Sequence, residues 1–165
     1  LKKFKKLTSN DENKKAIIMG KNTFASIKNK PLPNRDNLIL SSTSDINKVY
    51  SDCIAKSFKN IKELEDFVRN NNYNEIWIIG GESIYNLFMN NYPETGLLNV
   101  NNIYITYIDK NFDCDTYFPI INTNKYKFVS QEIHKLDEKL NVNDPVNDPV
   151  NETYTILDLL YSNIL

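Results

Sequence analysis

The chain has 165 residues, 41% of them hydrophobic and 25% charged, with a formal net charge of −1. That is enough for one full hydrophobic core, and the near-neutral balance gives no general attraction to nucleic acid or an anionic membrane, so neither is an expected partner. Cys53 and Cys114 are the only cysteines and have no neighbouring Cys or His; they are too few for a disulfide framework or a spaced zinc site. The expectation is a cytoplasmic protein with no metal, and no apolar run approaches bilayer-spanning length.

The opening Leu1-Lys2-Lys3-Phe4-Lys5-Lys6-Leu7-Thr8 reads as an amphipathic helix entered mid-turn, with Leu1, Phe4 and Thr8 on one face and lysines on the flanks. Asp11 and Glu12 fall in a polar loop. Lys14 to Met19 is a short apolar run ending at Gly20, a buried strand feeding a turn. Thr23 to Ile27 predicts a helix, broken by Pro31-Leu32-Pro33, and Asn37 to Leu40 a second buried strand. Strand, helix, strand implies a parallel crossover. Ile61 to Val68 is an amphipathic helix, Glu75 to Ile79 a strand, Gly80-Gly81 a turn and Glu82 to Phe88 a helix. Asn102 to Ile108 alternates as a strand. Tyr126 to Ile133 and Thr153 to Leu157 are strand-like and are expected to pair antiparallel. Between them Asn143-Asp144-Pro145-Val146 is repeated at once as Asn147-Asp148-Pro149-Val150, which predicts a solvated loop insertion over 141–151.

Two turns carry the chemistry. Gly20-Lys21-Asn22-Thr23 lies between a strand and a helix, where glycine permits close backbone approach, Thr23 can cap the helix, and unpaired N–H groups favour an anion. Taken singly it reads first as a plain strand-to-helix turn. Gly80-Gly81-Glu82-Ser83 has the same context, and two such turns at the carboxyl ends of strands in one sheet point to one long phosphorylated ligand. Neither has the G-x-G-x-x-G form of a dinucleotide fingerprint. Arg35 follows a rigid Pro-Leu-Pro-Asn turn; it is either a solvated surface residue or a planar fork for a carboxylate.

With Met19-Gly20-Lys21-Asn22-Thr23-Phe24, Pro31-Leu32-Pro33-Asn34-Arg35, Ile78-Ile79-Gly80-Gly81 and Asp115-Thr116-Tyr117-Phe118-Pro119, the chain resembles a dihydrofolate reductase, in the family's motif order and at close to its spacing, over positions 1 to about 135. The resemblance implies an α/β fold with a mixed, mostly parallel central sheet flanked by helices and a C-terminal antiparallel hairpin. It also implies NADPH-dependent reduction of 7,8-dihydrofolate to 5,6,7,8-tetrahydrofolate. Gly20, Lys21, Asn22 and Thr23 would contact the NADPH phosphates, with Lys21 beside the 2′-phosphate. Leu40, Ser41 and Ser42 would border that phosphate, with Thr43 where many members have arginine. Gly80, Gly81, Glu82, Ser83 and Ile84 would hold the pyrophosphate around a cis Gly80-Gly81 peptide. Arg35 would grip the α-carboxylate of the folate glutamate tail. Leu1, Phe4, Ile27 and Leu32 would line the aminobenzoyl group, and Ile79 and Tyr85 the pterin and nicotinamide. Thr106 would support the catalytic carboxylate, and Asp115 to Pro119 matches the segment that steadies the family's flexible loop. Implied partners are dihydrofolate, antifolate-like molecules, and a fused or associated thymidylate synthase, as in several protists and plants.

In the family the catalytic acid sits directly before the residue matching Leu1 and follows a strand that is central in the sheet. Neither is among these residues, so the expectation is a single domain over 1–165, N-terminally truncated, folding poorly alone because unpaired backbone is left at two strand edges. The alternative to an active reductase is a non-catalytic fragment retaining only nucleotide-binding elements. Reductases of riboflavin synthesis share the fold, but they have no glutamate tail for Arg35 to grip.

Overall fold

The run Lys15-Ala16-Ile17-Ile18-Met19 has no polar face, so it can settle only where both sides are covered. In the computed structural model it forms strand β1 (Lys15–Gly20), with Ala16, Ile17, Ile18 and Met19 all fully buried. The structure describes residues 2–9, 13–93, 96–138 and 152–163. Leu1, Asp11, Glu12 and the 141–151 loop with its repeat lie outside the described residues. Two compact units are present, Leu1–Asn99 and Val100–Leu165.

In the first unit, helix α1 (Lys2–Thr8) precedes β1, and α2 (Lys21–Ser26) follows it without a linker. Strands β2 (Asp36–Leu40), β3 (Asn47–Val49) and β4 (Ile54–Phe58) come next, then α3 (Ile61–Asn71), β5 (Glu75–Ile78) and α4 (Glu82–Asn86), whose last residues run on into a π-turn over Leu87–Asn91. The sheet order is β3-β4-β2-β1-β5. Every pairing is parallel except β3 with β4. The predicted crossover between β1 and β2 is present, in the register Ile18↔Leu38. Strands β3 and β4 were not anticipated. β3 is exposed throughout, and Lys56 and Ser57 interrupt the apolar signal of β4. Ser57 is nonetheless accommodated, because its hydroxyl accepts from Ile46 N–H and donates to the Ser44 carbonyl, both at 2.8 Å. One face of the sheet packs Ile17, Met19, Phe24, Ile39 and Ala55 together.

Helix α3 shows how local sequence sets an element. Asn60 caps it by accepting from Glu63 N–H at 3.0 Å, and Glu63 reaches back to Lys59 N–H at 2.9 Å, a near relative of the capping box. Leu64 and Val68 are buried, four residues apart on one face. Asn72 ends the helix at φ 49°, a left-handed position that Asn tolerates better than most residues.

The second unit is an antiparallel sheet in the order β6-β8-β7, with β6 (Asn102–Ile108), β7 (Tyr126–Glu138) and β8 (Glu152–Asn163). The predicted antiparallel pairing of the last two strands is found, over a longer span than the apolar pattern marked. A register shift lies between Phe128 and Ser130. Tyr126 is buried, and its hydroxyl donates to the Val100 carbonyl at 3.3 Å. No helix among the described residues is long and apolar enough to cross a membrane.

Two stability predictions follow from these contacts. Asn60→Ala should lower unfolding free energy by about 1 kcal/mol through loss of the cap, while Asn72→Gly should be neutral or slightly stabilising; urea denaturation of both variants checks this. Lys15 and Glu75 are direct cross-strand partners between β1 and β5, paired at 2.9 Å, and Glu75 also accepts from Trp77 Nε1 at 3.0 Å. The Lys15 hydrogen bond holds the Glu75 carboxyl below its ordinary value of 4.5. Because the folded value lies below the unfolded one, this contribution is complete above the unfolded value and is lost as pH falls through the carboxylate range. Glu75 is partly exposed, so the effect should be small, below about 1 kcal/mol, and Glu75→Gln should flatten the acid limb of the stability curve.

Candidate functional site

The site begins where β1 and β5 end side by side. Beyond the last paired residue of β5, Ile79 N–H donates to the Ile18 carbonyl at 2.9 Å and Gly20 N–H to the Gly80 carbonyl at 2.8 Å, so the two glycine turns are laced together. The Gly80-Gly81 peptide is cis, as the resemblance implies, and Gly80 has φ +91°, a conformation that only glycine adopts readily. A Cβ at Gly80 would drive into the Tyr85 ring, one at Gly20 would stand 3.1 Å from Ile84 Cγ1, and one at Gly81 would stand 3.4 Å from Thr23 Oγ1. All three glycines therefore sit where backbone meets the first turn of α2 or α4. Gly81 opens α4, its carbonyl accepting from Ile84 N–H at 2.9 Å and Tyr85 N–H at 3.0 Å, while Glu82 and Ser83 are exposed at the helix start.

The expectation that Thr23 caps α2 is corrected. Because β1 runs straight into the helix, the cap position is Gly20, with extended backbone and no side-chain cap, and Thr23 is already inside the helix. Its hydroxyl instead faces the Gly81 turn. Lys21 and Asn22 are exposed.

The third piece is the end of β2. Leu40 closes the strand, and Ser41 Oγ accepts from Thr43 N–H at 3.3 Å and Ser44 N–H at 3.1 Å while bonding to Ser44 Oγ at 3.0 Å. This local turn turns Ser42 and Thr43 outward. Lys21 Nζ donates to Thr43 Oγ1 at 3.2 Å, so an ammonium from α2 and the hydroxyls after β2 share one exposed patch. Thr43 is the contact that joins them.

Arg35 lies at the opposite end of β2. It is 4% exposed, so the solvated surface alternative is set aside. Its Nε donates to the Pro33 carbonyl at 2.9 Å and its Nη1 to Thr8 Oγ1, while Thr8 Oγ1 donates to the Phe4 carbonyl at 2.8 Å. Burial lowers the Arg35 pKa, with Cys53 opposing that effect. The preceding Asn34 has φ +60°, a left-handed turn position. Asn37, fully buried in β2, secures the turn from the strand side: it accepts from Leu32 N–H at 2.9 Å and donates to the carbonyls of Leu32 at 3.0 Å and Arg35 at 2.8 Å. A cleft of about 530 Å³ opens beside Arg35, with Lys14, Asp36 and Asp52 among its lining residues. Cys53 also borders it, but burial and nearby Asp52 and Asp36 push its thiol up to about 11, which leaves it an inert thiol at neutral pH.

Among the proposed apolar walls, Ile27, Leu32 and Ile79 pack against the Ile17, Met19 and Phe24 cluster, Phe4 and Tyr85 are half-buried, and Leu1 is outside the described residues. In the second unit Thr106 is exposed on β6, and its hydroxyl donates to Asp158 Oδ1 at 2.6 Å. Asp115 is exposed and accepts from Thr116 Oγ1 at 3.3 Å. Sequence reasoning missed Thr8, Asn34, Asn37 and Asp158. Only Asn34, an Asn after Pro-Leu-Pro, carried a local signal, since Asn is enriched at positive φ.

A family model described as dihydrofolate reductase matches residues 1–147. Among curated relatives, the dihydrofolate reductase of Staphylococcus haemolyticus is 38% identical over 125 residues, 75% of this chain and 66% of that protein. That of Sus scrofa is 35% identical over 128 residues, 75% of this chain and 66% of that protein. A bifunctional dihydrofolate reductase-thymidylate synthase of Plasmodium berghei (strain Anka) is 31% identical over 131 residues, 75% of this chain and 21% of that protein. The chain spans just under two thirds of the length of the two monofunctional relatives. Matched by the family model over most of its length, and carrying the two linked glycine turns and the buried arginine turn, this chain belongs to the dihydrofolate reductase family.

Proposed function

We propose that this chain carries the cofactor- and substrate-binding elements of an enzyme that reduces 7,8-dihydrofolate to 5,6,7,8-tetrahydrofolate with NADPH. The observation that carries the reading is the convergence, at the carboxyl ends of three neighbouring parallel strands, of the Gly20 turn, the Gly80-Gly81 turn and the Lys21–Thr43 contact. Ligands of open α/β sheets bind at the carboxyl ends of strands. The residues suit an elongated phosphorylated nucleotide. Helices α2 and α4 begin beside Gly20 and Gly81, and Lys21 with Ser42 and Thr43 supplies a cation and hydroxyls for a phosphate monoester.

When bound, the nicotinamide supplies hydride. The chain's own part is to hold the cofactor's phosphates and to orient the second substrate. Arg35 and Ser41 bracket β2, about 20 Å apart along the strand, so one ligand cannot be a compact molecule serving both ends. A nucleotide at the Ser41 end and a carboxylate-tailed substrate reaching Arg35 account for both. Arg35 is already oriented by Pro33 and Thr8, so little order is lost when it receives a carboxylate. Antifolate-like molecules with the same tail would compete at Arg35, and the bifunctional Plasmodium relative supports a fused or associated thymidylate synthase as partner.

Dihydrofolate-dependent NADPH oxidation by the purified chain is the direct test; cofactor binding without turnover would favour the non-catalytic fragment. Lys21→Ala, at an exposed position, should weaken NADPH by roughly tenfold, about 1.4 kcal/mol, while changing NADH little. Titrating both nucleotides by fluorescence checks this, and equal losses for both would remove the 2′-phosphate assignment. Arg35→Ala should weaken dihydrofolate by about 2–5 kcal/mol, as for a buried charge-assisted pair that loses one partner, with NADPH affinity nearly unchanged. Arg35→Lys, which keeps charge but not the fork, separates loss of recognition from loss of fold.

A further inference from the structure

On the antiparallel sheet, three strands bring a nitrogen ligand and two carboxylates to one spot. Asp158 on β8 stands directly opposite Thr106 on β6 and Glu132 on β7. His134 is two residues along β7 from Glu132 and so shares its face. His134 Nε2 lies 3.1 Å from Asp158 Oδ2 and 3.7 Å from Glu132 Oε2, and one ligand atom from each residue falls within 4.8 Å of the others.

We propose that Glu132, His134 and Asp158 form a binding site for a divalent transition-metal ion of the Zn²⁺ or Co²⁺ type. Zinc bonds of about 2.0–2.2 Å in tetrahedral geometry place neighbouring ligand atoms about 3.3 Å apart, and the two separations from His134 bracket that value. The ligand atoms of Glu132 and Asp158 also lie within 4.8 Å of each other, and the Glu132 side chain is 64% exposed. A single Nε2–H can donate to only one carboxylate at a time, whereas a dication serves both. The imidazole selects against Mg²⁺ and Ca²⁺, which prefer all-oxygen sets. Asp158 is held in place from behind: its other oxygen, Oδ1, accepts from Thr106 Oγ1 at 2.6 Å, the kind of supporting hydrogen bond that orients carboxylate ligands.

His134 is the chain's only histidine, so its imidazole resonances report on the site without ambiguity. The full chain is titrated with ZnCl₂, with Cys114→Ser introduced to remove its exposed thiol as a competing ligand. Expected are saturable shifts of the His134 resonances at one equivalent, and a visible Co²⁺ spectrum that zinc abolishes. Affinity should fall by more than about tenfold in His134→Gln and in Asp158→Asn. Should Asp158→Asn lose the strand signal in circular dichroism, His134→Gln, at a partly exposed position, decides alone. His134 resonances unmoved by equimolar zinc, or the same zinc affinity in His134→Gln, would overturn the site.

Discussion

The hydrogen bond from Gly20 N–H to the Gly80 carbonyl, 2.8 Å long, is the contact on which the rest of the first unit's site depends. It exists because β1 and β5 are parallel neighbours in register, so that both strands release their chains at the same level of the sheet. Two turns separated by 60 residues of sequence become one surface. The absence of side chains at Gly20, Gly80 and Gly81 allows this: each would otherwise place a Cβ against Ile84, Tyr85 or Thr23. Both α2 and α4 then start from the same end of the sheet, where Lys21 of α2 also reaches Thr43 beyond β2.

At the other end of β2 the constraint is the cost of burying a guanidinium. Removing Arg35 from water is unfavourable unless its donors find acceptors, and the surrounding chain is arranged to supply them. Pro33 offers a carbonyl, Thr8 offers a hydroxyl from the end of α1, and Asn37 bonds both sides of the turn. Among the described residues no buried side-chain nitrogen or oxygen is left without a hydrogen-bond partner. A polar network satisfied in this way rigidifies the turn and fixes the orientation of the Arg35 guanidinium. The same network couples α1 to the turn, so Thr8, a residue with no chemistry of its own, becomes part of what orients Arg35.

The second unit reaches its local arrangement by a different rule. In an antiparallel sheet, residues that oppose one another across strands share a face at short range. Thr106, Asp158 and Glu132 form such a row, with His134 beside it. The Thr106 hydroxyl is thereby engaged by a carboxylate from its own sheet, an arrangement that reading Thr106 within its own strand does not disclose.

Local sequence determined much of this protein. The apolar run at β1 had no polar face, so only a buried strand suited it; Asn60 and the spacing of Leu64 and Val68 specified α3; and glycines after two strands marked the turns. The motifs, in their order, were sufficient to identify the family. What the tertiary structure decided was everything that depends on two distant segments meeting. Strand β4 was invisible because its Ser57 is made acceptable by Ile46 and Ser44, not by its own neighbours. Thr23 looked like a helix cap because residue type alone does not reveal that β1 enters α2 without a break. Arg35 remained open between surface and interior until Thr8, 27 residues earlier, was seen to accept from it. Asp158 joined His134 only through register, which side-chain alternation constrains to one face but pairing partners alone fix. Propensity and periodicity act over a few residues, whereas the partner of a buried polar group is chosen by the fold.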